Sequence, residues 1–446
     1  MPQTDFEVIA RCPGGHPLVI RNHPVDHAGE PFPTLYWLTC PGAVKAVSRI
    51  ESEGRIKELD RQASEDPELG AALEAAHAEA AAERGRLHPG AGAWGGVGGA
   101  RRGIKCLHAH YANHLAGGDD PIGRWVAGRV EPLHPGAREL VAAIDVGTNS
   151  IRLLVAEEDD GDLAEVARDM VITRLGTGVD RAGRFDPEAL ARTLAVLRRY
   201  ARQARALGAD RFHVGATSAA RDAANRDELL AAIEAETGTG PEVLTGEREA
   251  GLSFLGATSG LDAEPPFLVF DIGGGSTELA IGEVGPAAAV SVDVGSVRLT
   301  ERVRPQDPPT RDDLVRLREE AARGLAAAEV VVPPGRATTL VGVSGTTTTV
   351  QALALGLGAY DPDAIHRTVL ARADVERVAA DLARMTTAER AALPVMARGR
   401  EDVIVAGATI LAEILDRWGF EACLVSERDI LDGLALEALT RRGESR

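Results

Sequence analysis

Two short stretches carry residue types that bind phosphate and metal. DVGTNS presents Asp145, then Gly147, Thr148, Asn149 and Ser150; DIGGGST presents Asp271, then Gly273, Gly274, Gly275, Ser276 and Thr277. A glycine-rich turn between strands lets backbone N–H groups converge on an anion, because no Cβ blocks close approach. The neighbouring hydroxyls add donors. An aspartate at the mouth of each loop would repel bound phosphate unless a divalent cation lay between them. Mg²⁺ (or Mn²⁺) suits that place, ligated by one or two carboxylates, phosphate oxygens and water. Glu278, seven residues after Asp271, is a third acidic candidate. The plainer alternative is that the acids accept backbone hydrogen bonds and the glycines serve hairpin geometry alone. A third turn, Gly345–Thr349, opens a helix, so Gly345 and Thr346 add N–H donors and a favourable dipole.

These loops need strands and helices to aim them. ELVAAIDVGTNSIRLLVAEED and PPFLVFDIGGGSTELAIGE each read as two β-rich runs around the turn, with their aspartates 126 residues apart. HVGATSAARDAAN and LVGVSGTTTTVQALA each read as strand, small-residue turn and helix, with Gly215 and Gly342 127 residues apart. Two motif pairs at nearly one spacing imply a duplicated unit, hence two similar α/β lobes aiming glycine-rich hairpins at a shared cleft. Hairpin geometry alone does not require an aspartate at the same strand end in both repeats.

Residues 1–137 differ in character. They hold three of the four cysteines and nine of the 11 histidines. An Ala/Glu-rich helix is expected from about Asp66 to Arg86, then a glycine-rich stretch from Gly90 to Gly103 and the segment KCLHAHYANHLA. EPLHPGAREL, with Pro132, Pro135 and Gly136, reads as a linker. The expected division is a small α+β accessory domain at 1–137, a first lobe at 138–264 completed by 427–446, and a second lobe at 265–426.

Composition narrows the function. At roughly 100–200 residues per domain, 446 residues suggest two to four domains, and 44% hydrophobic with 26% charged residues excludes bulk disorder. Forty-nine basic against 67 acidic side chains give a net charge of −18, without a global basic footprint for nucleic acid. Aromatic residues, at 4%, are too scarce for base-stacking platforms. No run of about 18 apolar residues occurs, MPQTDFEVIARC lacks a signal-peptide layout, and four scattered cysteines make no disulfide framework. The expectation is a cytoplasmic protein without membrane or nucleic-acid partners.

Eight motifs in order, AAIDVGTNSIRLLV, ATSAARDAANRDEL, LTGEREAGLSFLGA, LVFDIGGGSTELAIG, VDVGSVRLTE, VGVSGTTTTVQALA, REDVIVAGATIL and VSERDILDGLAL, carry a resemblance from about Leu140 to Leu439. Here the sequence resembles the Ppx/GppA family of exopolyphosphatases and guanosine pentaphosphate phosphohydrolases. The resemblance implies duplicated actin-like (ribonuclease H-like) lobes and metal-dependent hydrolysis of a terminal phosphoanhydride. The implied substrate is inorganic polyphosphate or a guanosine penta- or tetraphosphate. The family's catalytic glutamate lies in TGEREA, 22 positions before the DIGGG aspartate, which selects Glu249 rather than Glu247 to orient or deprotonate water. Arg221 in ATSAAR matches a family arginine, and Arg298 in GSVRLTE is a second phosphate candidate. Arg152 leaves the first hairpin, where strand alternation permits it to point away.

Dimers are common in the family. Longer members carry a helical C-terminal module that holds long polyphosphate; with the sequence reaching Arg446, only the two-lobe core is expected, which favours short polyphosphate or a nucleotide. Two rival readings share these motifs. A kinase or ATPase of the same superfamily would share the hairpins, although TGEREA at its fixed distance favours hydrolysis. A non-catalytic polyphosphate or alarmone sensor would share the loops, although the full Asp/Glu set argues for chemistry.

In the first region, RCPGGHP, PFPTLYWLTCPGAVKAVSRIE and IKCLHAHYANHLA resemble a small actinobacterial domain of unknown function, which implies no activity. Cys12, His16, Cys40, Cys106 and His110 form a candidate Zn²⁺ set, with Cys106 and His110 on one face if that segment is helical. Without a CxxC pair, the preferred reading is ordinary core and surface residues in a regulatory or scaffolding domain.

Overall fold

The computed structural model describes residues 4, 6–12, 15–25, 31–88, 91–130, 140–159 and 162–440. The expected linker at Pro132, Pro135 and Gly136 lies outside them.

The N-terminal region is a three-stranded antiparallel sheet, β1 (Phe6–Arg11), β2 (Pro17–Asn22) and β3 (Tyr36–Leu38), with five helices: α1 (Pro41–Ser52), α2 (Arg55–Glu65), α3 (Pro67–Leu87), α4 (Leu107–Leu115) and α5 (Pro121–Ala127). The Ala/Glu-rich helix expected from the sequence is α3. Asp66 caps it, its Oδ1 accepting from the N–H groups of Glu68 (2.9 Å) and Leu69 (3.3 Å), and Pro67 takes the first helical position.

The first lobe holds β4 (Val141–Val146), β5 (Ser150–Asp159), β6 (Asp162–Ile172), β7 (Arg211–Ala216) and β8 (Glu242–Val243), in sheet order β6-β5-β4-β7-β8. Its helices are α6 (Val179–Ala182), α7 (Pro187–Leu207), α8 (Ser218–Asp222), α9 (Arg226–Thr237) and α10 (Gly246–Thr258). The second lobe holds β9 (Phe267–Ile272), β10 (Thr277–Gly282), β11 (Pro286–Val292), β12 (Thr339–Val343), β13 (Val369–Ala371) and β14 (Ala422–Val425), in order β11-β10-β9-β12-β14-β13. Its helices are α11 (Ser296–Val303), α12 (Arg311–Ala328), α13 (Ser344–Ala354), α14 (Pro362–Ile365), α15 (Arg372–Arg384), α16 (Thr387–Ala391) and α17 (Ile404–Trp418). The last described helix, α18 (Ile430–Thr440), packs on β4, β5 and β7.

The duplication is visible in the sheets. Each begins with two antiparallel hairpin steps whose first strand pairs in parallel with the fourth, giving β6-β5-β4-β7 in one and β11-β10-β9-β12 in the other. Strands β4 and β9 are buried at every position, as apolar central strands covered on both faces must be. Register refines the repeat: Asp145 pairs with Gly215 but Asp271 pairs with Val343, so the counterpart of Gly215 is Val343, one residue beyond Gly342.

Helix α10 lies against β9, β10 and β11 and also against α18, joining the lobes. Glycines set that contact: a Cβ at Gly256 would lie 1.8 Å from the Asp429 carbonyl oxygen, and one at Gly433 would lie 2.1 Å from that of Leu252. The N-terminal domain joins the first lobe through β1 on β6 and α4 on α7, and Ile9, Leu115 and Ile122 share one apolar core with Tyr200 and Ala204. Among the described residues no helix is long and apolar enough to cross a membrane.

Candidate functional site

The two glycine loops meet. With the start of α13 they line a cleft cavity of about 90 Å³ that includes Asp145, Thr148, Glu249, Asp271, Gly345 and Arg400. The glycines of the second loop make room for the first: a Cβ at Gly275 would sit 2.3 Å from Ser218 Oγ, and one at Gly274 3.2 Å from Thr148 Cβ. Thr148 Oγ1 and Ser218 Oγ share a hydrogen bond of 2.8 Å. The N–H of Gly147 donates to the Ser150 carbonyl and that of Gly273 to the Ser276 carbonyl, closing each hairpin. At the tips, the N–H groups of Thr148, Asn149, Gly274 and Gly275 have no backbone acceptor among the described residues, leaving four donors for an anion. On the second lobe, Ser344 adopts a positive φ of 66° as its hydroxyl donates to the Ile272 carbonyl (3.0 Å), and α13 starts there facing the cavity.

Five carboxylates are buried in or beside this cleft: Asp145, Glu249, Asp271, Glu278 and Asp429. Two arginines meet them. Arg152 donates to Asp145 (Nε 3.0 Å, Nη2 2.8 Å) and pairs with Asp429, and Arg221 donates to Glu249 Oε2 at 2.8 Å. Among the described residues the second lobe pairs no such cation with its acids: Asp271 and Glu278 face each other across the β9–β10 ladder and accept from Ser253 (2.9 Å) and Ser291 (2.6 Å). The electrostatic consequence is a set of reluctant acids. Burial, then Asp429, pushes the Asp271 carboxyl up to about 6; burial, then Asp271, pushes Glu278 up to about 7. Burial and Glu278 raise Glu249 well above the usual carboxylate range, and burial raises Asp145.

Asp145 Oδ1 is buried without a hydrogen-bond partner among the described atoms. An excess of buried carboxylates with an orphaned oxygen among them is the donor set a hard divalent cation takes.

Of the residues expected from the sequence, Glu249, Asp145, Asp271, Gly147, Thr148, Asn149, Ser150, Gly273, Gly274, Gly275, Ser276, Gly345 and Thr346 line the cleft. Glu249 is buried in the first turn of α10, whereas Glu247 is exposed. Four expected residues stand back from the cavity wall. Glu278 lies behind Asp271, and Thr277 donates its hydroxyl to the Val294 carbonyl (2.5 Å). Arg221 holds Glu249 and the Leu244 carbonyl (2.7 Å). Arg298 donates to the Gly275 carbonyl (2.6 Å) and pairs with Asp180 and Asp222, bracing the loop from outside.

Two arginines enter that the sequence did not assign. Arg152, opposite Asp145 in the ladder, lines the cleft. Arg400 is 9% exposed, with Nη1 on the Gly345 carbonyl (2.8 Å) and Thr349 Oγ1 (2.7 Å), and among the described residues Nη2 meets only the Met170 sulfur at 3.7 Å. Gly345 admits it, since a Cβ there would lie 2.1 Å from Arg400 Nη2. A buried guanidinium with no carboxylate partner among the described residues, on the wall of a cleft, is suited to an oxyanion. REDVIVAGATIL contained Arg400, but no spacing rule told which of its residues turns inward.

The Cys/His set of the N-terminal domain does not assemble. Cys106 caps α4, its Sγ accepting from the Ala109 N–H (3.4 Å), while His110 Nδ1 is bound to Asp120 (2.8 Å). Cys12 and His16 approach at 3.8 Å, and Cys40 stands at the start of α1. Cys106 instead neighbours Glu51 and His108, partly exposed, with ligand atoms within 4.8 Å of one another.

Known proteins match both regions. A profile of the Ppx/GppA phosphatase family matches residues 154–442, and one of a protein family of unknown function, DUF501, matches residues 8–128. The chain is 46% identical over 310 residues to Exopolyphosphatase 2 of Mycobacterium tuberculosis, an alignment covering 66% of this chain and 97% of that protein. Among solved structures, an exopolyphosphatase-like protein superposes with a TM-score of 0.64 at 39% identity, over 68% of this chain and 99% of its own. A Ppx/GppA family member from Aquifex aeolicus gives 0.59 at 31% identity, over 69% and 99%.

Proposed function

The chain belongs to the Ppx/GppA phosphatase family, and on that premise we propose that it is an exopolyphosphatase-type hydrolase acting on the end of inorganic polyphosphate. The observation that carries this reading is the convergence of two aspartate-ended glycine loops and Glu249 on one small cleft. The free N–H groups of Thr148, Asn149, Gly274 and Gly275 hold the terminal phosphate, with Arg400 and the start of α13 on its other side. Glu249 orients a water molecule and, in the ionised form that its ion pair with Arg221 favours, takes its proton. The water oxygen bonds to the terminal phosphorus, the bond from that phosphorus to the bridging oxygen breaks, and orthophosphate leaves a chain one unit shorter. Asp145 and Asp271 would hold a divalent cation, with Glu278 behind Asp271. Mg²⁺, when bound, supplies charge neutralisation on the phosphate oxygens.

The division into 1–137, 138–264 with 427–446, and 265–426 is part of the same reading, supported by α18 packing on the first sheet. Four free cysteines are in keeping with action in the reducing cytoplasm. Purified protein supplied with polyphosphate and Mg²⁺ should release orthophosphate, and chelation should stop it. Release that continues in excess chelator would remove the cation from the mechanism, and no release from any chain length would remove the reading itself.

A further inference from the structure

The cleft does not end at the phosphate loops. A cavity of about 1040 Å³ adjoins it and shares Arg152, Met170, Ser344, Gly345 and Arg400 with it. The far wall of this chamber is built by the N-terminal domain: Phe6 and Glu7 of β1, Asn22 at the end of β2, His23, Pro24, and Leu87 at the end of α3.

That wall is fixed to both lobes. Toward the first, Arg21 reaches Asp169 of β6 (3.5 Å), Arg199 bridges Glu83 and Asp169, and Gln203 Nε2 donates to the Ile9 carbonyl (3.3 Å). Toward the second, Arg398 donates to the Arg86 carbonyl (3.0 Å). The chamber surface carries two arginines without a carboxylate partner among the described residues, Arg400 where it meets the cleft and Arg398 away from it. Toward the same space the N-terminal wall presents Phe6, 45% exposed, Glu7, whose side chain is 68% exposed, and the exposed His23.

A linear phosphate chain whose reacting end fills a cleft of about 90 Å³ needs room beyond it, which the chamber of about 1040 Å³ supplies and the cavity adjoining the cleft at Thr148, Ser218 and Gly275, of about 20 Å³, does not. We propose that the N-terminal domain is the length-reading wall of the substrate channel: the chamber receives the phosphates that trail the terminal one, and β1 with the His23 turn faces them. The inference rests on the exopolyphosphatase reading above and assigns that site a second substrate-facing surface. Glu7 disfavours the trailing polyanion, while His23 and Arg398 favour it.

The test uses the full chain and its Glu7→Gln and His23→Glu variants; His23 is exposed, and Glu7 pairs with Arg21 (2.5 Å) at the exposed rim of the interface network, so the melting temperature of each variant is measured beside its Kd. KM and the calorimetric Kd are measured at fixed free Mg²⁺ on triphosphate and on polyphosphates of defined, increasing length. His23→Glu should weaken the longer chains roughly three- to tenfold, and Glu7→Gln should tighten them about twofold. Both ratios to wild type should grow with chain length. Ratios that are the same at every length would overturn the wall. If wild type releases no phosphate at all, the exopolyphosphatase reading fails separately. The Kd series then decides the wall by the same criterion: length-dependent ratios sustain it and flat ratios sink it.

Discussion

Strand β6 separates two clusters of buried charge built on opposite plans. Asp169 turns toward the N-terminal domain, where Glu83 and Asp169 meet Arg21 and Arg199, and the Tyr36 hydroxyl donates to Glu83 (2.6 Å). Its neighbour Met170 lines the cleft between the glycine loops, where five carboxylates share two arginines. At the interface, burial pushes Glu83 up but Arg199 and Arg21 pull it down further, so its net shift lies below the ordinary glutamate range. In the cleft, burial wins and the acids are raised. Charges that hold domains together are neutralised within the chain; charges that meet a ligand are left for the ligand to neutralise.

The largest effects break the contrast at its two centres. Glu249→Gln should lower phosphate release roughly 10²–10⁴-fold, with a melting temperature equal to or above wild type, because an amide replaces an acid that resists ionisation. Arg199→Met should do the reverse. With Glu83 and Asp169 left buried beside Arg21 alone, stability should fall by about 3–5 kcal/mol, seen as an earlier melting transition, while turnover per folded molecule on triphosphate persists. If Glu249→Gln unfolds the protein and Arg199→Met leaves its melting point in place, the division of labour between the clusters is wrong.

The contrast was half legible in the sequence. The repeat, both loops and both aspartates could be read because glycine clusters and spacing are local signals, and TGEREA pointed to Glu249 only through family resemblance. The hairpin geometry held one further signal. Arg152 follows Asp145 by seven residues and Glu278 follows Asp271 by seven, so each lies directly across its ladder from the aspartate, on the same face. The duplication therefore places an arginine in one lobe where the other has a glutamate, which leaves the second lobe as the uncompensated half. Arg400 and Asp429 were not legible as site residues, since their place depends on how α17 and α18 return to the cleft from far along the chain. Nor was the interface: Arg21 and Glu83 have the composition of ordinary surface charges, and only tertiary packing makes them partners.

A smaller effect sharpens the asymmetry between lobes. Asp271→Asn removes a buried acid raised to about 6, so without metal the variant should be more stable than wild type at pH 8, by about 1–2 kcal/mol. Added Mg²⁺ should raise the melting temperature of wild type and reverse that ranking, because the variant loses a ligand. A variant that gains as much from Mg²⁺ as wild type would place the cation on Asp145 without Asp271.

The smallest effect tests whether location or compensation decides the behaviour of a buried acid. Glu427 lies on the chamber rather than in the cleft and accepts from the Tyr360 hydroxyl at 2.7 Å. Burial outweighs that bond and pushes it up to about 7 from 4.5. Between those values the folded state binds a proton that the unfolded chain has lost, so its contribution to stability is present below about pH 4.5 and is lost as pH rises through 7. Glu427→Gln should therefore match wild type near pH 4 and exceed it by about 1 kcal/mol above pH 7.5, after solvent screening of a partly exposed group. Thermal melts across that range check the sign. A difference that stays constant with pH would mean that Glu427 is compensated as Glu83 is.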